Sequence, residues 1–118
     1  MSYDIALVDS TTGQCLELDK PHHMKGGTYI LGGTNQAKLN VTYNYSNTFR
    51  RTIGANGIRT IYGMTGEESI SILKSAISQL SDDFDDDYWK ATEGNVKQAL
   101  FQLLALAHLR PEGVWSGD

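Results

Sequence analysis

The sequence contains one cysteine and no long apolar run, and each shortage excludes a class of protein. The single Cys15 excludes an intramolecular disulfide framework and a cysteine-based zinc finger. No apolar run approaches the roughly 18 residues that a membrane-spanning helix needs. The first residues, Met1 to Asp4, lack the basic and then apolar pattern of a secretory signal. We therefore expect a soluble protein of the cytoplasm.

Acidic residues are absent from residues 20–65, a stretch that holds six lysines and arginines. The rest of the chain carries 4 basic and 14 acidic residues, and the net charge is −4. That net charge disfavours a protein that binds long nucleic acid over its whole surface. A charge asymmetry along one chain indicates an anionic partner, although strands also disfavour Asp and Glu. We expect a local site for a small anionic ligand.

The first third of the chain has the periodicity of β-structure. Residues 3–8 and 14–18 flank a turn-rich segment and predict a hairpin. Residues 28–31 predict a short strand between two Gly-Gly pairs. The clearest signal is residues 37–45, where apolar and polar residues alternate with a period of two. This alternation predicts an antiparallel sheet with one buried face.

From residue 46 onward the periodicity is helical. A short helix is predicted over residues 46–53, where a glycine-rich segment ends it. Thr65 and Glu68 have the spacing of a capping box and predict the start of a second helix. The last helix is predicted over residues 93–109, because Pro111 stops it.

These elements predict one α+β domain spanning residues 1–118, with a small antiparallel β-sheet packed against two C-terminal helices. Residues 1–45 are expected to be mainly β and residues 46–118 mainly α. The last helix is apolar on more than one face, which is typical of a helix at the centre of a core or at a subunit interface. We expect a homo-oligomer formed through this helix.

One cluster in the acid-free stretch has the chemistry of a nucleotide site. The rings of Tyr43 and Tyr45 can stack on a base, and the Asn44 amide can bind a polar edge. Arg50 and Arg51 can bind phosphate through paired hydrogen bonds. The alternative is that the tyrosines belong to the core and the arginines to a solvated helix face.

Two further positions have both a functional and a structural interpretation. His22 and His23 are neighbours on a predicted strand and point to opposite faces, so we do not expect them to share a metal ion. Two interpretations of these histidines stay open: an imidazole that donates to a ligand phosphate, or a histidine packed in the structure. Trp89 is either a loop anchor or a lid that stacks on a base.

Five of the six residues 82–87 are aspartate. The ligand spacing of an EF-hand is absent, so the run does not predict a calcium site. Like charges repel, which favours a solvated loop between two helices. A second hypothesis is an acidic face that docks on a basic protein.

Several short motifs occur in a fixed order along the chain. They are Pro21-His22-His23, Gly54-Ala55-Asn56-Gly57-Ile58, Glu67-Glu68, Glu93-Gly94-Asn95, Leu103-Leu104 and Arg110. Their order and spacing resemble the Thoeris anti-defence sponge proteins of phages, which sequester cyclic ADP-ribose-type signals. The resemblance implies an α+β fold, a homo-oligomer, and nucleotide pockets lined by sheet and helix residues. It also implies ligand contacts at His22, His23 and Asn95.

The predicted function is that of a non-enzymatic sponge for a small cyclic or ADP-ribose-type nucleotide, acting in the cytoplasm of a bacterial host. The candidate ligand-binding residues are His22, His23, Tyr43, Asn44, Tyr45, Arg50, Arg51, Trp89 and Asn95. The alternative is a protein–protein interaction module or inhibitor that uses the acidic residues 82–87. No cofactor or metal is expected, and a nucleotide-cleaving enzyme ranks last because the sequence shows no candidate general base.

Overall fold

A computed structural model describes residues 1–28 and 30–118. Among them β1 is the central strand of an antiparallel sheet with the strand order β4-β1-β5. Strands β2 and β3 pair separately as a two-stranded antiparallel sheet. The strands are β1 (Ser2–Val8), β2 (Glu17–His22), β3 (Thr34–Gln36), β4 (Lys38–Thr42) and β5 (Val114–Ser116).

The described helices follow the first four strands in the chain. They are α1 (Ser46–Thr52), α2 (Gly66–Ser78) and α3 (Glu93–Leu109). Short 3-10 helices cover Tyr43–Tyr45 and Gly57–Ile61. The predicted α+β class, with antiparallel strands packed on helices, is therefore confirmed.

The alternation predicted over residues 37–45 is correct up to Thr42. Leu39 and Val41 are buried and lie opposite Ile5 and Tyr3 of β1, which are buried too. The strand ends at Thr42 because the Thr42 hydroxyl accepts a hydrogen bond from the main-chain N–H of Asn44, at 3.1 Å, and caps a 3-10 helix. Residues 43–45 are consequently helical, and their prediction as strand is wrong.

The predicted hairpin of residues 3–8 and 14–18 is correct only at its turn. The chain reverses after β1, and the Leu16 N–H donates to the Leu7 carbonyl at 2.9 Å. It then leaves β1, and β2 begins at Glu17 and pairs with β3. The strands that pair with β1 in the sheet are instead β4 and β5.

The strand predicted over residues 28–31 is absent at Thr28, Ile30 and Leu31, while Tyr29 lies outside the described residues. Gly32 and Gly33 have φ values of +84° and +81°, a backbone region that favours glycine. The Gly33 N–H donates to the Ile30 carbonyl at 3.0 Å. Residues 30–33 therefore form a turn, so the break predicted at Gly32 and Gly33 is correct and the extended chain predicted at Ile30 and Leu31 is wrong.

The helix predictions are close to the structure because helix ends depend on local interactions. Thr65 and Glu68 make both hydrogen bonds of the capping box, at 3.1 and 2.9 Å. The bounds of α3 match the predicted residues 93–109. Most apolar side chains of α3 are buried, whereas Phe101 is 51% exposed. Leu109, the last residue of the helix, is 52% exposed, so the helix lies in the core with two large apolar side chains outside it.

The short strand β5 was not predicted, because three residues are too few for a periodic signal. It pairs with β1, and its Trp115 lies opposite Leu7. Trp115 is buried, and its Nε1–H donates to the Ser69 hydroxyl of α2 at 2.7 Å. The strand thereby joins the sheet to α2 through one buried side chain. None of the described helices is long and apolar enough to cross a membrane.

Candidate functional site

The residues Tyr43, Asn44 and Tyr45 do not form one ligand surface. Tyr45 is fully buried, and its hydroxyl donates to the main-chain carbonyl of Tyr88. Burial raises the pKa of Tyr45 above its ordinary value. Tyr43 is half-buried and packs edge-to-face on Tyr3, with ring centroids 4.5 Å apart. The Tyr45 side chain is therefore a core group, in line with the structural alternative.

Asn44 is exposed and helps to hold the loop that carries Trp89. Its Nδ2 donates to the Trp89 carbonyl at 2.9 Å. The Trp89 ring is 48% exposed and stands edge-on to Tyr88, with centroids 5.2 Å apart. The edge of the ring also lies close to Gly27, where an added Cβ would come within 3.1 Å of the ring atom Cη2.

The two predicted arginines lie on an exposed face of α1 and bind side chains of the protein itself. Arg51 forms an ion pair with Glu93 at 3.3 Å. The other Glu93 oxygen accepts from the Ser81 main-chain N–H at 2.8 Å, so this carboxylate connects α1 to the start of α3. Arg50 donates to the Asn47 side chain at 2.9 Å.

Arg59, a residue not singled out from the sequence, lies over an aromatic pair. Its guanidinium carbon is 5.0 Å from the centroid of the Tyr3 ring and 5.9 Å from that of Tyr43. Its Nε–H donates to the main-chain carbonyl of Asp118 at 2.9 Å. Tyr3 lies in β1 and Arg59 lies in the 3-10 helix at residues 57–61. This cation–π contact therefore depends on how the two elements pack, and spacing along the chain does not predict it.

Asn95 is buried and holds the acidic loop in place. Its Oδ1 accepts from the Asp85 N–H at 3.0 Å, and its Nδ2 donates to the carbonyls of Asp87 and Lys90, each at 3.0 Å. The side-chain amide thus has its hydrogen bonds inside the protein. We do not place Asn95, or the equally buried Tyr45, in a ligand site.

The described cavities contain only His22 among the predicted residues. We call the relevant cavity the loop cleft. It lies between the outer face of strands β1 and β4 and the segment that follows β2, and its volume is about 200 Å³. Its polar lining comprises Asp4, His22, Thr28, Thr34, Lys38 and Asn40.

His22 shapes the loop cleft through both of its ring nitrogens. Its Nδ1 accepts from the Met24 main-chain N–H at 3.2 Å, which places the ring proton on Nε2 in the neutral form. Nε2 then donates to the Gln36 carbonyl at 2.9 Å. His23 is exposed, its ring lies close to Gly33, and it is not among the described lining residues of the loop cleft.

Asn40 forms the floor of the loop cleft. Its Nδ2 donates to the Ser2 hydroxyl and to the Asp4 carboxylate, both at 2.7 Å. Its Oδ1 is buried and accepts no hydrogen bond from the described residues. Its main-chain carbonyl accepts from the Gly27 N–H at 3.1 Å.

Glycine is required where the loop lies on β4. A Cβ at Gly26 would overlap the carbonyl oxygen of Asn40, and a Cβ at Gly27 would lie 2.6 Å from its Oδ1. The loop can approach the strand this closely only without side chains. The signal that could have located the cleft was the polar face of the predicted strand next to a Gly-Gly pair.

No protein-family model, curated protein or solved structure matches the chain. The resemblance to the Thoeris sponges therefore stays a prediction that rests on its short motifs. Among the residues that the structure describes, no group of three or more His, Cys, Asp or Glu side chains could hold a metal ion.

Proposed function

We propose that the protein is a non-enzymatic sponge for a small nucleotide-type ligand and that the loop cleft holds the phosphorylated ribose part of this ligand. The observation that carries the proposal is the set of polar groups in one partly enclosed space. Lys38 supplies a cation, Asp4 supplies acceptors, and Thr28 and Thr34 supply hydroxyls. An ammonium group binds phosphate, and a carboxylate accepts hydrogen bonds from ribose hydroxyls.

The size of the loop cleft indicates which part of the ligand it would enclose. Its volume of about 200 Å³ lies below the roughly 300–1,000 Å³ of pockets that enclose a whole drug-sized molecule. A ribose phosphate fits this space, and a base attached to it would lie outside. The half-exposed Trp89 ring lies near Gly27, which precedes Thr28 of the cleft lining, and we assign it as the surface on which the base stacks.

The uneven charge of the chain supports the same assignment. Most of the polar lining, including His22 and Lys38, comes from the acid-free residues 20–65, and Asp4 is the one acidic side chain among the described lining residues. Binding without chemistry requires only fixed donors and acceptors, which β1, β4 and the His22 hydrogen bonds hold in position. In this proposal the protein acts against a signal in the cytoplasm of a phage-infected bacterium, as the resemblance to the sponge family implies.

The test is a thermal-shift panel of cyclic nucleotides and ADP-ribose isomers. A ligand at 100 times its Kd stabilises the folded state by about 2.7 kcal/mol, which raises Tm measurably. The matched variants are Lys38→Gln, inside the loop cleft, and Arg50→Gln, an exposed cation outside it. We expect the first to weaken binding by about tenfold or more and the second to leave it unchanged.

Three outcomes would contradict the proposal. Absence of any shift across the panel would exclude the sponge function. A loss of binding in Arg50→Gln but not in Lys38→Gln would place the ligand on α1 instead of in the loop cleft. Recovery of breakdown products from the denatured complex would indicate an enzyme.

A further inference from the structure

A second concave surface lies along α3 and is also lined by Met24 and by residues of the acidic loop. We call it the helix groove. It has a volume of about 440 Å³, and its apolar lining includes Met24, Phe84, Phe101 and Ala105. Phe84 and Phe101 are 52% and 51% exposed, which is unusual for large aromatic side chains in one groove. Exposed aromatic groups that share a groove are typical of a binding surface.

The polar groups of the helix groove are suited to an extended backbone. The Gln102 side-chain amide already binds the main chain of Lys25 through two hydrogen bonds. Its Oε1 accepts from the Lys25 N–H at 2.6 Å, and its Nε2 donates to the Lys25 carbonyl at 2.8 Å. Gln98 lies one helical turn earlier and lines the same groove. Its amide makes no hydrogen bond with the described residues, so it can offer the same pair of bonds to an incoming chain.

The charge at one end of the helix groove is strongly negative. Asp82 lines the groove, and the other four aspartates of residues 82–87 follow directly. Lys97 and Lys90 form ion pairs with Asp82 and Asp85, which leaves an excess of three negative charges. A second copy would bring the groove cation Lys97, which is already paired with Asp82, and so would offer no unpaired cation from the described lining of its own groove to this acidic end. Charge complementarity therefore favours a basic partner.

We propose that the helix groove binds an extended, basic segment of a partner protein. Apolar side chains of the segment would pack between Phe84 and Phe101, and its backbone would pair with the Gln98 amide. Its lysines or arginines would face the aspartates. This interaction is independent of the loop cleft, because the two surfaces have no lining residue in common.

The test uses fluorescence polarisation with labelled seven-residue peptides in which lysine alternates with leucine, phenylalanine or tryptophan. The matched peptides carry glutamate in place of every lysine. The groove variant is Phe101→Ser, and the control is Leu109→Ser, a side chain of the same helix that is equally exposed at 52% but lies outside the groove. Gln98→Ala is a second groove variant with a small effect on folding, because its side chain is exposed.

We expect at least one lysine peptide to bind and the glutamate peptides not to bind. Phe101→Ser should weaken binding about tenfold or more, and Leu109→Ser should not change it. The double variant Asp83→Asn, Asp86→Asn should weaken binding and reduce its salt dependence, since both carboxylates are exposed.

The proposal is overturned if no lysine peptide binds, or if Leu109→Ser weakens binding as much as Phe101→Ser and Gln98→Ala do. Sedimentation velocity supplies an independent readout. A wild-type dimer that Phe101→Ser converts to a monomer would assign the groove to a second copy of this chain and would also overturn the proposal.

Discussion

Replacement of Asn95 by alanine tests whether this residue organises the acidic loop. The buried amide makes three hydrogen bonds to the loop, one to Asp85, one to Asp87 and one to Lys90. Alanine removes all three while the Asn95 main-chain N–H keeps its bond to the Thr92 cap, at 3.2 Å. The substitution therefore perturbs the loop and leaves the start of α3 capped.

The expected magnitude follows from the number of bonds. Each hydrogen bond contributes about 1 kcal/mol net, so Asn95→Ala should lower the free energy of unfolding by about 3 kcal/mol. That is a large part of the roughly 5–15 kcal/mol by which a domain is stable. Asn95→Asp should cost more at neutral pH, because a buried carboxylate would face the carbonyl oxygens of Asp87 and Lys90.

The assay is urea unfolding followed by tryptophan fluorescence, with Asn44→Ala as the control. Asn44 makes one exposed side-chain hydrogen bond, to the Trp89 carbonyl, so its loss should cost about 1 kcal/mol or less. If Asn95→Ala costs no more than Asn44→Ala, the loop does not depend on this amide. If it abolishes ligand binding without loss of stability, Asn95 is a ligand contact after all.

Two further predictions concern a close approach and a helix cap. Gly26→Ala should lower the free energy of unfolding by about 1–3 kcal/mol in a urea titration, because the new Cβ would overlap the Asn40 carbonyl. The control is Gly54→Ala, where the nearest atom to the new Cβ is 3.7 Å away. It should change the free energy of unfolding by less than about 1 kcal/mol. A hydrogen bond from the Thr65 main chain holds the pKa of Glu68 below its ordinary 4.5, so this stabilisation is present above that pH and is lost as the pH falls below it. Thermal unfolding across the acid range should show a smaller loss for Glu68→Gln than for wild type, and equal losses would refute the assignment.

The candidate site could be predicted only in part from the sequence. His22 was predicted as a ligand contact; it lines the loop cleft, and its contact with a ligand stays a prediction. Lys38 and Asn40 were recognised as the polar face of a strand, but nothing indicated that the chain would fold back over that face. The contact between Gly26 and Asn40 joins residues that are far apart in the chain, and local patterns contain no information on it.

The roles of Arg51 and Asn95 could not be read from residue type. An arginine and an asparagine are suited both to a ligand and to the protein's own backbone, and only the fold decides which is within reach. Arg51 lies 3.3 Å from Glu93, and Asn95 lies within 3.0 Å of three loop main-chain groups. Neighbouring chain segments occupy the positions in which a ligand had been expected.

By itself the sequence determined the α+β class, the three described helices and the ends of α3, together with the capping box at Thr65 and Glu68. These features depend on interactions within about four residues, which periodicity and spacing report directly. The tertiary structure alone decided that β5 completes the sheet beside β1, that the Gly-rich loop covers β4, and that Phe84 and Phe101 line one groove. Those features depend on pairings between distant segments, whose register is selected by the burial of the whole core.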